Sequence, residues 1–156
     1  MKAIIKLKNP SKERLLKAIN HLLKYGYNDL IVFSTFFRDI ENEIREEMWQ
    51  KDAKIVFLKS YNQSTEDCLL NIKGSLTDRF LLVYNDEICQ FDLKNALNSH
   101  HNSTMTATIL YAENKTTAVF FETEIFDYIP LAGNFEREVI PRIFEDHEVQ
   151  IYPCIL

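Results

Sequence analysis

Phe80-Leu81-Leu82-Val83-Tyr84-Asn85-Asp86-Glu87-Ile88-Cys89-Gln90-Phe91-Asp92-Leu93 decides how this chain folds. Its first five residues are apolar without a break, a strand-length run. A strand with no polar alternation is expected to be buried on both faces, as in a parallel sheet. The run stops at Asn85-Asp86-Glu87, and a helical pattern follows, with Asp92 placed to cap it. Asp86 and Glu87 should therefore stand just beyond the carboxyl end of a buried strand, where open α/β sheets bind their ligands. No glycine-rich phosphate loop occurs anywhere in the chain.

Outward from this strand, elements alternate. Lys2–Leu7 reads as a first strand, and Ser11 caps a helix running to about Tyr25, with Leu15, Leu16, Ile19, Leu22 and Leu23 on its inner face and Gly26 closing it. Leu30–Phe33 reads as a strand, Phe36 to about Trp49 as a helix with an acidic outer face, and Lys54–Leu58 as a third strand. A polar loop from Ser60 leads to a helix around Asp67–Lys73, and another helix runs from Leu93 to about His100. Thr104–Tyr111 and Thr116–Phe121 are β-branched strands with Glu113-Asn114 turning between them. Glu122–Ile129 reads as a short helix, Phe135–Asp146 as a helical segment in which Pro141 marks a kink or a new first turn, and Val149–Tyr152 as a last strand. Strand and helix in alternation predict an α/β fold, a doubly wound and mostly parallel sheet with helices on both faces. No linker or repeat interrupts it, so one domain over residues 1–156 is expected.

Composition excludes several classes. With 46% hydrophobic and 26% charged residues the chain is globular rather than disordered. At this length a domain hides roughly 70% of the surface its unfolded chain exposes. A net charge of -5 without a basic stripe speaks against a nucleic-acid partner. No apolar run approaches the ~20 residues of a membrane span, and the N-terminus lacks signal-peptide character, so a cytoplasmic protein with no membrane partner is expected. Cys68, Cys89 and Cys154 are odd in number and not spaced as CxxC, which disfavours a disulfide framework or structural zinc and leaves buried thiols as the expectation.

In this order the chain resembles the sugar-phosphate nucleotidyltransferases. KAINHLLKYGYNDLIVFSTFF, residues 17–37, is similar to that family's first helix and second strand. FLLVYNDEICQFDL is similar to its strand ending in Asn-Gly-Asp, with the following Asp-Leu at Asp92-Leu93. TAVFFETEIFDYIP, residues 117–130, resembles its sugar-side strand and short helix, and GNFEREVIPRIFEDHEVQIYPC, residues 133–154, its Phe-Glu-x-x-Val-Ile-Pro helix and following strand. The resemblance implies a Rossmann-like nucleotidyltransferase-type fold and, in an intact member, Mg²⁺-dependent transfer of a nucleotide from a triphosphate to a sugar phosphate. It assigns the metal position to Asp86 and nucleotide contacts to Thr65 and Asn85.

The departures are as informative. Lys6-Leu7-Lys8-Asn9-Pro10 passes from strand to helix where the family has its glycine-rich loop. Ser64-Thr65-Glu66-Asp67 replaces Gly-Thr-Ala-Gly, and Asn85 replaces the glycine of Asn-Gly-Asp. The hairpin bearing the family's Glu-Lys-Pro lysine is missing between Leu110 and Ala118, and the sequence reaches Leu156 without a second metal-binding Asp. Phosphoryl transfer of this kind rests on positioning and charge neutralisation. Losing one such donor costs ~10²–10³ in rate. A degenerate, non-catalytic member is expected, binding a nucleotide or sugar nucleotide or serving as an interaction subunit, as a homodimer or with a protein partner. A divergent active enzyme built on Asp86 is the alternative.

Other residues read more plainly. Asp92 is expected as an N-cap, and His100-His101 as cations at a helix C-terminus. Lys6, Lys8, Lys12 and Arg14 cluster where the phosphate loop would have been, and the acidic run of the second helix reads as a solvated face. Phe33–Phe37 reads as core and helix start rather than a stacking platform. His21 and His147 have no nucleophile beside them.

Overall fold

The computed structural model describes residues 1–7, 11–34, 38–60, 64–129, 140–146 and 148–154. Among them seven strands form one sheet: β1 (Lys2–Ile5), β2 (Asp29–Ser34), β3 (Lys54–Lys59), β4 (Phe80–Val83), β5 (Ala107–Ala112), β6 (Lys115–Phe121) and β7 (Val149–Pro153). The order across the sheet is β3-β2-β1-β4-β6-β5-β7. β1 to β4 pair in parallel, β6 is antiparallel to both β4 and β5, and β7 pairs in parallel with β5. The expected mostly parallel sheet is what forms.

The helices are α1 (Lys12–Lys24), α2 (Arg38–Met48), α3 (Thr65–Asn71), α4 (Leu93–Ser103) and α5 (Ile140–Glu145). Short 3₁₀ turns cover Lys73–Ser75, Asp86–Gln90 and Thr123–Asp127. The sheet grows from β1 through β2 to β3, then the chain returns across it to β4. Right-handed crossovers require the helix of that return to lie on the opposite face. The core agrees. One face packs Leu15, Ala18, Ile19 and Leu22 of α1, Ile44 and Met48 of α2 and Leu93 and Ala96 of α4 against Ile5, Val32, Leu81, Val83 and Phe120. The other packs Cys68 and Leu69 of α3 with Ile72 and Ile125 against Ile4, Ile31, Phe80, Leu82 and Phe121.

β4 is the centre of this arrangement, with all four residues buried, two to each face. Each fully buried aliphatic side chain contributes about 1.5–3 kcal/mol. β3, at the edge, is only half-buried.

Local signals set the element ends. Ser11 Oγ accepts from the Arg14 amide, 3.2 Å, and starts α1. At its other end the Gly26 amide donates to Leu23 O and the Tyr27 amide to Leu22 O, both 3.0 Å, a Schellman closure in which Gly26 takes φ +86°. Glu113 and Asn114 both have positive φ, the two-residue turn that matches strand twist, so β5 runs into β6 through a tight hairpin. Two boundaries shift. α3 begins at Thr65 rather than Asp67, because Ser64 Oγ accepts from the Asp67 amide and caps it. α4 runs on to Ser103 and stops at Thr104, whose φ is 59°, so β5 starts at Ala107 rather than Thr104. Of the segment 135–146, Ile140–Glu145 is helical and contains Pro141. Residues 135–139, with Phe36, Phe37, Lys8 and His147, lie outside the described residues.

Candidate functional site

The strand order reverses between β1 and β4. In a doubly wound sheet the crevice at such a reversal, outside the carboxyl ends of the strands, is the ligand site. β1 and β4 are joined there beyond their ladder, by the Lys6 amide donating to Val83 O, 2.9 Å. Asn85, Asp86 and Glu87 stand at this end because β4 stops at Val83.

Asn85 caps the 3₁₀ turn that follows. Its side-chain oxygen accepts from the Glu87 amide, 3.1 Å, and its amide donates to Thr116 O, 3.3 Å. It is 9% exposed, and both ends of its side chain hold the turn against β6.

Asp86 faces α1. Arg14 brings Nε and a terminal nitrogen to Asp86 Oδ1, each at 3.1 Å, and Lys17 Nζ lies 3.8 Å from Oδ2. Arg14 and Lys17 sit three apart, near one face of the helix. Partial burial pulls the Asp86 carboxyl up, but the hydrogen bond and charge of Arg14 and the charge of Lys17 outweigh it and leave it below the ordinary value. Glu87 pairs with Lys115 at the start of β6, 2.7 Å, and the hydrogen bond from that ammonium holds its carboxyl low. Glu87 Oε2 is buried without a hydrogen-bond partner.

Thr65 opens α3 and is 4% exposed; Lys6 Nζ donates to its Oγ1, 3.4 Å. The crevice thus gathers Lys6 from just beyond β1, Arg14 and Lys17 from α1, Thr65 from α3, and Asp86 and Glu87 from the turn after β4. The described cations of the cluster read from the sequence, Lys6, Lys12 and Arg14, all have partners within the protein. Arg14 holds Asp86, and Lys12 crosses to Glu47, 2.9 Å, and Glu43, 3.8 Å, on the acidic face of α2.

A divalent cation does not fit these residues. Asp86, the residue to which the resemblance assigns a metal, has cations beside both oxygens. Among the described residues no three His, Cys, Asp or Glu side chains converge as metal ligands. Lys17 and Lys115 are the partners that sequence reading missed. Lys17 stands one helical step beyond Arg14, spacing that a helical reading of residues 12–24 makes visible once Asp86 is placed opposite.

The histidines differ from expectation. Asp92 caps α4 as read, accepting from the Lys94 and Asn95 amides at 3.0 and 3.1 Å. His100, read as a cation at that helix's end, is instead buried at 1% exposure, and its pKa falls to about 4, through burial first and then the charges of Arg79 and His101. It is neutral because its ring points into the sheet rather than to water. His21 meets Phe91 O at 2.9 Å and stands edge-on to Tyr25, a packing role.

No helix among the described residues is long and apolar enough to cross a membrane. No family model and no curated protein sequence matches the chain. Solved structures do. HddC from Yersinia pseudotuberculosis superposes with a TM-score of 0.66 at 11% identity, over 97% of this chain and 89% of that one. The 4-diphosphocytidyl-2C-methyl-D-erythritol synthase of Anaerococcus prevotii gives 0.66 at 11%, over 97% and 86%. The inositol-1-phosphate CTP transferase of T. maritima gives 0.63 at 11%, over 97% and 84%. HddC is also known in complex with GMP-PN. At such identity the likeness carries the fold and nothing finer: the chain has the fold of the sugar-phosphate nucleotidyltransferases.

Proposed function

We propose that this chain is a non-catalytic nucleotidyltransferase-like domain, one that kept the scaffold of nucleotidyl transfer and lost its metal chemistry. One observation carries the reading: the carboxylate at the metal position, Asp86, is neutralised from within by Arg14 and Lys17. In an active member that carboxylate holds a metal, and the metal draws the triphosphate oxygens. Here Arg14 and Lys17 answer the charge of that carboxylate in place of a metal. The sequence departures point the same way: no glycine-rich donors follow β1, Ser64 and Asp67 stand where the family has its two glycines, and Glu66 adds a second carboxylate beside Asp67.

What remains is a crevice that binds without transferring. A nucleotide or sugar nucleotide, held weakly through Thr65, Lys6 and the strand ends, is the ligand class the fold favours. The domain acts as a cytoplasmic interaction or regulatory subunit in nucleotide-sugar metabolism, as a homodimer or with a protein partner. Trp49, 79% exposed, and Ile151, 53% exposed on the edge strand β7, suit a subunit that meets another chain.

The test is a pyrophosphate-release assay over nucleoside triphosphates paired with sugar 1-phosphates and polyol phosphates, in Mg²⁺ and in Mn²⁺. The expected result is no release above the protein-free rate for any pair. Release that disappears in Asp86→Asn would replace this reading with the alternative, a divergent metal-dependent transferase.

A further inference from the structure

A second cluster lies at the opposite end of the sheet, where β4 and β5 begin and β6 ends. His100, in the last turn of α4, is seated between strands. Its ring stacks on Phe120 of β6, with centroids 5.7 Å apart and planes 19° from parallel. Its Nδ1 lies 2.7 Å from Thr108 Oγ1 of β5, and its Nε2 lies 3.1 Å from Glu122 Oε1 at the end of β6.

These partners fix the tautomer. A carboxylate only accepts, so Nε2 carries the ring hydrogen and donates it to Glu122. Nδ1 is then bare and accepts the Thr108 hydroxyl. The neutral ring is satisfied on both sides. A second proton would have to sit on Nδ1, against a hydroxyl whose own hydrogen must turn away inside the sheet, since Thr108 is 0% exposed. The seat satisfies imidazole on both sides, whereas imidazolium would lose the Thr108 hydroxyl as a donor and sit desolvated, with only Glu122 to answer its charge.

The surrounding charges sharpen the contrast. From the turn before β4, Arg79 places a terminal nitrogen 3.2 Å from the same Glu122 oxygen and donates from the other to His101 Nδ1, 3.0 Å. Asp78 and Glu124 act on Glu122, whose carboxyl is raised first by burial, against the pull of Arg79. Beside the ring opens a cleft of about 370 Å³. Glu122, Glu124 and Glu148 line it together with Arg79, His101 and Thr106. Glu148 accepts from the Thr106 hydroxyl, 3.2 Å. The carboxylates outnumber the cation, and α4 ends here, adding its negative pole.

We propose that His100 is an acid-operated latch: when its ring takes a second proton it leaves the Thr108–Phe120 seat for the carboxylate-lined cleft, and the last turn of α4 is released from β5. In the seat an imidazolium keeps Glu122 on Nε2, an oxygen already shared with the Arg79 guanidinium, but on Nδ1 it meets a buried hydroxyl and has no water. In the cleft it meets Glu124 and Glu148, with water. The proton comes from solvent and no covalent bond changes. The low pKa of the seated ring agrees with this geometry. The latch lies at the far end of the sheet from the crevice and does not depend on what that crevice binds.

The experiment follows the imidazole carbon resonances and amide hydrogen exchange of the whole protein from pH 7.5 to 4, each rate corrected for its intrinsic pH dependence. The expected result is a His100 ring that stays neutral well below pH 6.5. With it, protection at His101–Ser103 and at Glu124–Asp127 should fall on the order of tenfold or more between pH 6.5 and 4.5, while α1 keeps its own. In His100→Gln, which cannot charge, that local loss should vanish. A His100 ring titrating near 6.5 without local loss, a loss shared equally by α1, or a loss that persists in His100→Gln would overturn the proposal. Should His100→Gln fail to fold, the titration and the exchange pattern of the unaltered protein decide.

Discussion

The two ends of this sheet meet charge in opposite ways. At the carboxyl end of β4, Asp86 and Glu87 are met by cations on flexible stems, and Lys17 and Lys115 remain 61% and 49% exposed. At the other end, His100 is enclosed, neutral and held by two hydrogen bonds. Exposed ion pairs are worth little, because water screens them and long side chains must be ordered. A buried polar group is worth much more, because losing one partner leaves the other stranded without water. A carboxylate cluster that looks like the functional heart of the molecule should therefore contribute little to its stability. The less conspicuous histidine should contribute more.

Acid should take the two ends apart in order. His100 has its folded pKa pushed below the ordinary value to about 4. Below about pH 6.5 the unfolded chain binds that proton more readily, so stability falls with pH until the folded pKa is reached. The span of the shift sets a loss of up to about 3 kcal/mol between pH 6.5 and 4. Glu122, whose carboxyl is raised, works against this loss as it protonates in the same interval. Asp86 and Glu87 are lowered, so their contribution persists above the ordinary carboxylate range and is lost only as pH falls through and below it. Urea unfolding across pH 7.5 to 3 reads both windows. A curve flat down to pH 4.5 would remove the contrast.

Thr108→Val strips the hydroxyl from His100 Nδ1 while keeping the shape, leaving a buried acceptor unpaired. A loss of about 1–3 kcal/mol is expected. Asp92→Ala acts where α4 begins, near the opposite end, by removing the cap on two amides, and should cost about 1 kcal/mol. Asp86→Asn should cost the least. With Arg14 at 34% and Lys17 at 61% exposure, at most about 1 kcal/mol is expected, and less in high salt. If Asp86→Asn proved more damaging than Thr108→Val, the ranking of the two ends would be reversed.

What the sequence showed and what it hid divide along the same physical line. The unbroken run Phe80–Tyr84, the caps Ser11 and Asp92, the closure at Gly26 and the turn at Glu113-Asn114 are local signals, each written within a few residues. They sufficed for the order of strands and helices and for the doubly wound sheet. Asp86 could be placed at a strand end for the same reason. Its partners could not, because Arg14 is 72 residues away and only the fold brings α1 across the end of β4. His100 is separated by 22 residues from Glu122. Its pairing depends on α4 running one turn further than its apolar pattern suggests, so a histidine that reads as a helix-end cation turns inward.

The central claim concerns Asp86, and a thermal-shift titration tests it most directly. Nucleoside triphosphates and sugar nucleotides would be added with and without Mg²⁺, to the native protein and to Asp86→Asn. A ligand at a hundredfold over its Kd adds ~2.7 kcal/mol. For a chain of this size that is a rise of about 5–11 °C. The account predicts that any rise is the same with and without Mg²⁺, and the same in Asp86→Asn. A rise that requires Mg²⁺ and is lost in Asp86→Asn would contradict it, because Asp86 would then be ligating a metal rather than answering Arg14 and Lys17.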